Sequence, residues 1–228
     1  MERNFFAVVG LGHFGSHVAR VLYEAGKNVI AIDMDEEAVQ DAAECATRAV
    51  VADATDRQTL VSLGIPDVDA AIISLGEKMD VIVLAALQFI ELGVPYVAVK
   101  ALTEDHAKIL HAIGVHEVIH PEKEMAIRLA SRLARKDVVD FLPIAPGYSI
   151  REIKAPPEFV GKSLSELALR NTLHVQLIAI ERNRTKDELD INIVPRAGDV
   201  IQADDILVLL GKNRDLDRIT DIVNKSRA

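Results

Sequence analysis

Six residues near the amino terminus, Gly10-Leu11-Gly12-His13-Phe14-Gly15, have the types and spacing to hold a diphosphate. They follow an apolar run, Phe5-Phe6-Ala7-Val8-Val9, and open a segment with helical periodicity. In that setting Gly10 permits a tight turn, Gly12 lets backbone approach phosphate with no Cβ in the way, and Gly15 lets helix and strand pack closely. The phosphates then meet free N–H groups and the positive end of a helix dipole. His13, as a cation, favours a nearby phosphate. Asp33, 23 residues beyond Gly10, ends a second apolar run and is followed by Met34. A carboxylate there accepts hydrogen bonds from both ribose hydroxyls and repels a 2′-phosphate. Three further points fall where strands would end: Asp53-Ala54-Thr55, Leu75-Gly76 and Lys100. Ligands of open α/β sheets lie beyond the carboxyl ends of strands, so these positions can reach adenine, ribose or phosphate. Asp53 and Thr55 serve equally well as a helix cap formed with Asp56, and Lys100 equally well as a solvated lysine.

The elements that must position these residues alternate regularly. Strands are expected at 5–9, 28–32, 48–51, 70–74, 96–99 and 117–119, with helices over 12–25, 36–45, 57–63, 78–92 and 104–113. The strands read as continuous apolar runs, as strands covered on both faces do, and strand–helix alternation implies a parallel sheet with right-handed crossovers. Gly26, Gly64-Ile65-Pro66 and Gly93-Val94-Pro95 are stop signals for helices. This is a Rossmann-like, doubly wound α/β domain. From Pro121 the pattern changes. One helix is expected over 122–139, with Met125, Leu129 and Leu133 on a stripe, then a linker over 141–148 carrying Pro143, Pro146 and Gly147. Strands follow at 149–153, 175–181, 190–194 and 206–210, with helices at 164–169 and 216–223; Ser163 and Glu166 form a capping box for the first of these. The expected organisation is a nucleotide-binding domain over 1–140, including the helix at 122–139, and a small α+β domain over 141–228 with a mostly antiparallel sheet.

Composition narrows the function. The net charge of −9, with no block of Lys and Arg, argues against nucleic acid as partner. The lone Cys45 excludes an intrachain disulfide, fits a reducing compartment and reads as a core residue. The amino terminus lacks a secretory signal, and no uncharged apolar run approaches the roughly 20 residues that span a bilayer; a membrane role would pass through a partner. The histidines, at 13, 17, 106, 111, 116, 120 and 174, show no metal spacing on one helix face. No Ser/His/Asp or Cys/His arrangement stands out, and the second domain offers no cluster of His, Arg and carboxylate to clamp a substrate. These absences favour a binding module over an NAD(P)-linked oxidoreductase.

The same residues resemble the RCK domain proteins, the KtrA/TrkA type of potassium-transport regulator. The resemblance rests on Val9-Gly10-Leu11-Gly12-His13-Phe14-Gly15, Ala31-Ile32-Asp33, Ala52-Asp53-Ala54-Thr55, Val99-Lys100-Ala101 and Ile119-His120-Pro121-Glu122-Lys123, and in the second domain on Phe159-Val160-Gly161-Lys162-Ser163-Leu164 and Asp204-Asp205-Ile206-Leu207-Val208-Leu209. It implies a non-catalytic protein that forms homodimers and then a homo-octameric ring on the cytosolic face of a potassium channel or transporter. Adenine nucleotide, ATP or ADP in one branch and NAD(H) in another, would change the shape of the ring and gate the membrane partner. Glu122 matches a glutamate that, in the KtrA branch, helps hold a cation at the dimer interface; it reads equally as a first-turn carboxylate favoured by the helix dipole. The KtrA pattern carries an arginine in place of His13, so the resemblance leaves the preferred nucleotide open. A free-standing nucleotide sensor is the other binding-protein reading.

Overall fold

The computed structural model describes residues 3–134, 138–182 and 190–225. The chain forms two compact units, Met1–Pro121 and Glu122–Ala228.

The first unit runs β1 (Phe5–Val9), α1 (His13–Glu24), β2 (Asn28–Asp33), α2 (Glu36–Ala42), β3 (Arg48–Val51), α3 (Arg57–Ser62), β4 (Ala70–Ile73), α4 (Met79–Glu91), β5 (Val97–Lys100), α5 (Glu104–Ala112) and β6 (Glu117–Ile119). Its strands pair in parallel in the order β3-β2-β1-β4-β5-β6. The alternation of side chains along β1 explains the two covered faces. Ala7 and Val9 join a core with Leu60 of α3, Ile82 and Phe89 of α4, and Leu110 of α5. Val8 points the other way, into a core with Ala19 of α1 and Val39 of α2. Cys45 lies buried in that second core, as its size and polarity favour. Completely burying a side chain such as Phe89 contributes about 1.5–3 kcal/mol, so the two cores fix the sheet edge firmly.

The second unit runs α6 (Pro121–Leu133), β7 (Val138–Ala145), β8 (Tyr148–Lys154), α7 (Leu164–Leu167), α8 (Leu169–Thr172), β9 (Gln176–Arg182), β10 (Asp190–Asn192), β11 (Ile206–Lys212) and α9 (Asn213–Lys225). All its strand pairings are antiparallel, in the order β10-β9-β11-β8-β7. The capping box holds: Ser163 Oγ accepts from the Glu166 N–H while the Glu166 carboxylate accepts from the Ser163 N–H. Arg151 of β8 is 2% exposed, and its charge is met by Asp217 Oδ1 at 2.7 Å.

Two expectations for this unit are corrected. The helix expected over 122–139 ends at Leu133, and Val138-Val139 belong to β7. The expected linker over 141–148 is instead the β7–β8 hairpin, turned by Pro146-Gly147 with Gly147 at φ 82°. Pro143 does not break β7 because that strand lies at the edge of its sheet, where no ladder hydrogen bond depends on every N–H. A domain boundary at residue 140 would therefore cut a strand; the compact units part at Pro121.

Candidate nucleotide-binding site

The sheet order reverses between β1 and β4, which places a crevice beyond their carboxyl ends, where open α/β sheets hold their ligands. The glycine turn sits there, and each of its glycines has a separate reason. Gly10 donates its N–H to Ile32 O at 2.9 Å and has φ +85°. A Cβ on Gly10 would stand 2.3 Å from Ser74 O, so the turn is wedged against the end of β4. A Cβ on Gly15 would stand 1.8 Å from Gly10 O, which is the close helix–strand approach expected of that position. Around Gly12 a Cβ would meet no heavy atom within 4 Å, so the space in front of it is open.

Gly12 is also the N-cap of α1. No side chain hydrogen-bonds the cap, and no acidic residue stands in the first turn. By contrast α2, α3 and α5 are capped by Asp35, Asp56 and Thr103, which accept from Glu37, Gln58 and His106 N–H. Capping side chains satisfy donors that an anion would otherwise take. The first turn of α1 keeps its positive end for a ligand. His13 is exposed at its start, and its carbonyl accepts from Ser16 Oγ at 3.2 Å and His17 Nδ1 at 2.7 Å.

Asp33 ends β2 half-buried, facing the turn rather than solvent: Oδ2 accepts from Leu11 N–H at 2.6 Å and Oδ1 from Asp35 N–H at 3.0 Å. A carboxylate has roughly four acceptor sites, so both oxygens retain capacity for ribose hydroxyls. Beside it Met34 is 69% exposed, and Val51, paired with Asp33 in the β2–β3 register, is 47% exposed. Two exposed apolar side chains thus lie close to Asp33 along the chain or across the strand pair.

The other expected positions separate. Asp53 Oδ1 accepts from Thr55 N–H at 2.8 Å and from Thr55 Oγ1 at 2.7 Å, closing a turn at the end of β3. Capping of α3 falls to Asp56. Ala54 is buried in the core, so only its backbone faces the sheet edge. Leu75 packs half-buried on the same core, while Gly76 has open space at its Cβ position. Phe14 is half-buried, and Lys100 ends β5, half-buried, at the same edge of the sheet. Glu122 lies in the second unit, in the first turn of α6. Among the described residues no three His, Cys, Asp or Glu side chains gather as a metal centre.

A pocket of about 420 Å³ extends the site between α1 and α2. One wall carries His13, Ser16 and Arg20 from α1, and the other Asp35, Glu37 and Asp41. Ser16 and Arg20 were not among the expected residues. Their helical spacing from Gly12 and His13 was the available signal, since positions three, four and seven apart share a helix face.

Strand order, glycine turn and carboxylate together define a Rossmann-type domain with the phosphate turn of nucleotide-binding proteins. The TrkA-N domain model matches residues 6–121 and the TrkA-C domain model matches 148–224. The chain is 36% identical over 213 residues to Ktr system potassium uptake protein C of Bacillus subtilis (strain 168), covering 93% of this chain and 94% of that protein. It is 34% identical over 206 residues to Ktr system potassium uptake protein A of Vibrio alginolyticus, covering 90% of this chain and 91% of that one. The chain therefore belongs to the family of TrkA-N and TrkA-C domain proteins that includes the Ktr system potassium uptake proteins. In fold it is similar to the RCK domain of GsuK, with a TM-score of 0.67 at 17% identity over 97% of this chain and 48% of that one. It is also similar to the GsuK channel bound to NAD, with a TM-score of 0.64 at 16% identity over 97% of this chain and 40% of that one. The chain thus spans less than half of either GsuK chain.

Proposed function

We propose that this chain is a nucleotide-binding regulatory subunit of a potassium uptake system. The observation that carries this reading is the uncapped first turn of α1, open in front of Gly12 and flanked by the Asp33 carboxylate. The ligand is an adenine nucleotide, ATP/ADP or NAD(H): diphosphate on the turn, ribose on Asp33, base over Met34 and Val51, with Asp53, Thr55, Leu75, Gly76 and Lys100 around it. Family membership supports the biological setting, because relatives similar over nine-tenths of their length are potassium uptake proteins. No helix among the described residues is long and apolar enough to cross a membrane; in our reading, membrane contact passes through a partner, a potassium transporter or channel subunit. The subunit works in the cytoplasm, at the inner face of the cell membrane, and catalyses no reaction.

The mechanism is a shift between two shapes of an assembly. A nucleotide moves such an equilibrium only by its difference in affinity for the two shapes. In our reading the assembly is a homodimer and then a homo-octameric ring. Helix α6 carries the movement; none of its described side chains is buried within its own unit, and Met125, Leu129 and Leu133 are all exposed. Glu122 at its start contributes to a divalent cation at the dimer interface. The test is potassium flux into vesicles holding the co-purified membrane partner, with and without ADP, ATP or NADH. Flux should respond to at least one nucleotide with the intact chain and to none with Gly12→Val. Equal nucleotide responses from both would refute the reading, and turnover of NADH with hydroxy or oxo acids would replace it by an oxidoreductase.

A further inference from the structure

We infer that Asp33 is a positioning residue for the phosphate turn as well as a ribose acid, holding the backbone of that turn in its phosphate-binding shape before any ligand arrives. The inference rests on the nucleotide reading above and concerns how the same site is organised.

Its basis is where the carboxylate points. Oδ2 is 2.6 Å from the N–H of Leu11, the residue between the first two glycines of the turn. Oδ1 is 3.0 Å from the N–H of Asp35, at the start of α2. One side chain thus ties the end of β1 to the β2–α2 turn. Hydrogen bonds to an ionised acceptor are about twice as strong as neutral ones, which suits a short contact in a half-buried place. Leu11 is anchored twice: its side chain is buried in the core with Val8 and Ala19, and its N–H is met by the Asp33 carboxylate. Gly10 is pinned through its own N–H to Ile32 O and is held from behind by Ser74 O. Gly15 is pinned by its approach to Gly10 O. Between these anchors Gly12 is free of neighbours within 4 Å at its Cβ position and has no side-chain cap. Leu11 is the link whose orientation decides which way the amides after it face; its buried side chain sets where it sits, and Asp33 sets where its N–H points.

A second effect opposes this one, and the opposition makes the idea testable. A carboxylate beside a diphosphate repels it. If Asp33 served only to grip ribose, removing it would leave a ribose-free diphosphate bound as well as before, or better through lost repulsion. If Asp33 also shapes the turn, the same change disorders the amides and weakens that ligand. The two roles therefore predict opposite signs for inorganic pyrophosphate, although both predict weaker ADP binding.

The experiment uses the full chain, wild type, Asp33→Ala and Asp33→Asn. The asparagine retains a side-chain oxygen that can accept from Leu11 N–H. First, amide exchange is measured residue by residue without ligand. The Leu11 amide should exchange at least tenfold faster in Asp33→Ala than in wild type and fall between them in Asp33→Asn, with the Gly10 amide unchanged. Second, pyrophosphate and ADP are titrated by chemical-shift perturbation. Pyrophosphate should bind Asp33→Ala at least threefold more weakly than wild type. Unchanged Leu11 protection in Asp33→Ala, or pyrophosphate binding equal to or tighter than wild type while ADP is weakened, would overturn the inference. If wild type bound neither ADP nor pyrophosphate, the nucleotide reading would fall, and the exchange measurement alone would decide this inference.

Discussion

Gly12 and Gly15 lie three residues apart, yet an alanine at each should do opposite things. At Gly15 the new Cβ would stand 1.8 Å from Gly10 O, less than two-thirds of an ordinary carbon–oxygen contact, and the obstacle is backbone. No rotamer can relieve it, so α1 must lift from the turn. Overpacking of this kind costs typically 1–3 kcal/mol and sometimes more; with a rigid obstacle we expect about 3. For a unit of this size 1 kcal/mol moves the midpoint by roughly 3–5 °C, so Gly15→Ala should melt about 10 °C lower. At Gly12 the Cβ meets nothing within 4 Å, and φ −61°, ψ −175° suits alanine. There the restricted unfolded chain contributes about 0.4–1 kcal/mol, offset by a loss of similar size because alanine is a poor N-cap. The net change should stay within about 1 kcal/mol. ADP at about a hundred times its Kd should stabilise wild type by about 2.7 kcal/mol and Gly12→Ala by far less, since the Cβ occupies the space of a phosphate. Thermal unfolding with and without ADP measures all of this. The reasoning fails if Gly15→Ala melts with wild type, or if Gly12→Ala keeps the full ADP shift.

In the second unit, Arg151→Ala should destabilise by about 2–5 kcal/mol, because it empties a fully buried site beside the Phe141 ring and removes the hydrogen bond to Asp217; Arg214→Ala, largely exposed, should stay within about 0.5 kcal/mol, both by urea titration. The fork from Arg128, then the Phe141 N–H, hold the Asp140 carboxyl below the usual carboxylate range. A lowered pKa in the folded state gives stability that is present above the unfolded value and lost as pH falls through the folded one. Urea midpoints of the second unit should therefore decline below about pH 4, and Asp140→Asn should flatten that decline. Ser163→Ala should cost about 1 kcal/mol by removing one half of the capping box, read from the same urea curves.

The first unit was legible almost throughout because several local signals agreed at each element. Apolar runs too continuous for a one-sided sheet gave β1 to β6, and Gly26, Gly64 and Gly93 closed the helices before them. The glycine turn was legible because Gly10 and Gly15 answer steric demands that no other residue meets, while Gly12 leaves open space in front of the helix. Where one segment carried two compatible signals, reading failed. Residues 122–134 have helical spacing, and the charged stretch after them offers no stop signal, so periodicity alone carries the helix on into Val138-Val139, whose β-branching fits the strand they form. Pro143 and Pro146 suggested a linker because proline is read as a strand breaker; only the place of β7 at the sheet edge removes that objection. The contact of Asp33 with Leu11 was also beyond the sequence. The residue types announce a ribose acid, but the second use of its carboxylate depends on how close the ends of β1 and β2 come.

Titration calorimetry of the purified chain with ADP, ATP, AMP, NAD and NADH, beside Gly12→Val, bears most directly on the whole account. The account predicts saturable binding of at least one adenine dinucleotide or nucleoside polyphosphate at one site per chain, weakened at least a hundredfold in Gly12→Val. Binding of equal strength in both proteins, or to neither, would contradict it.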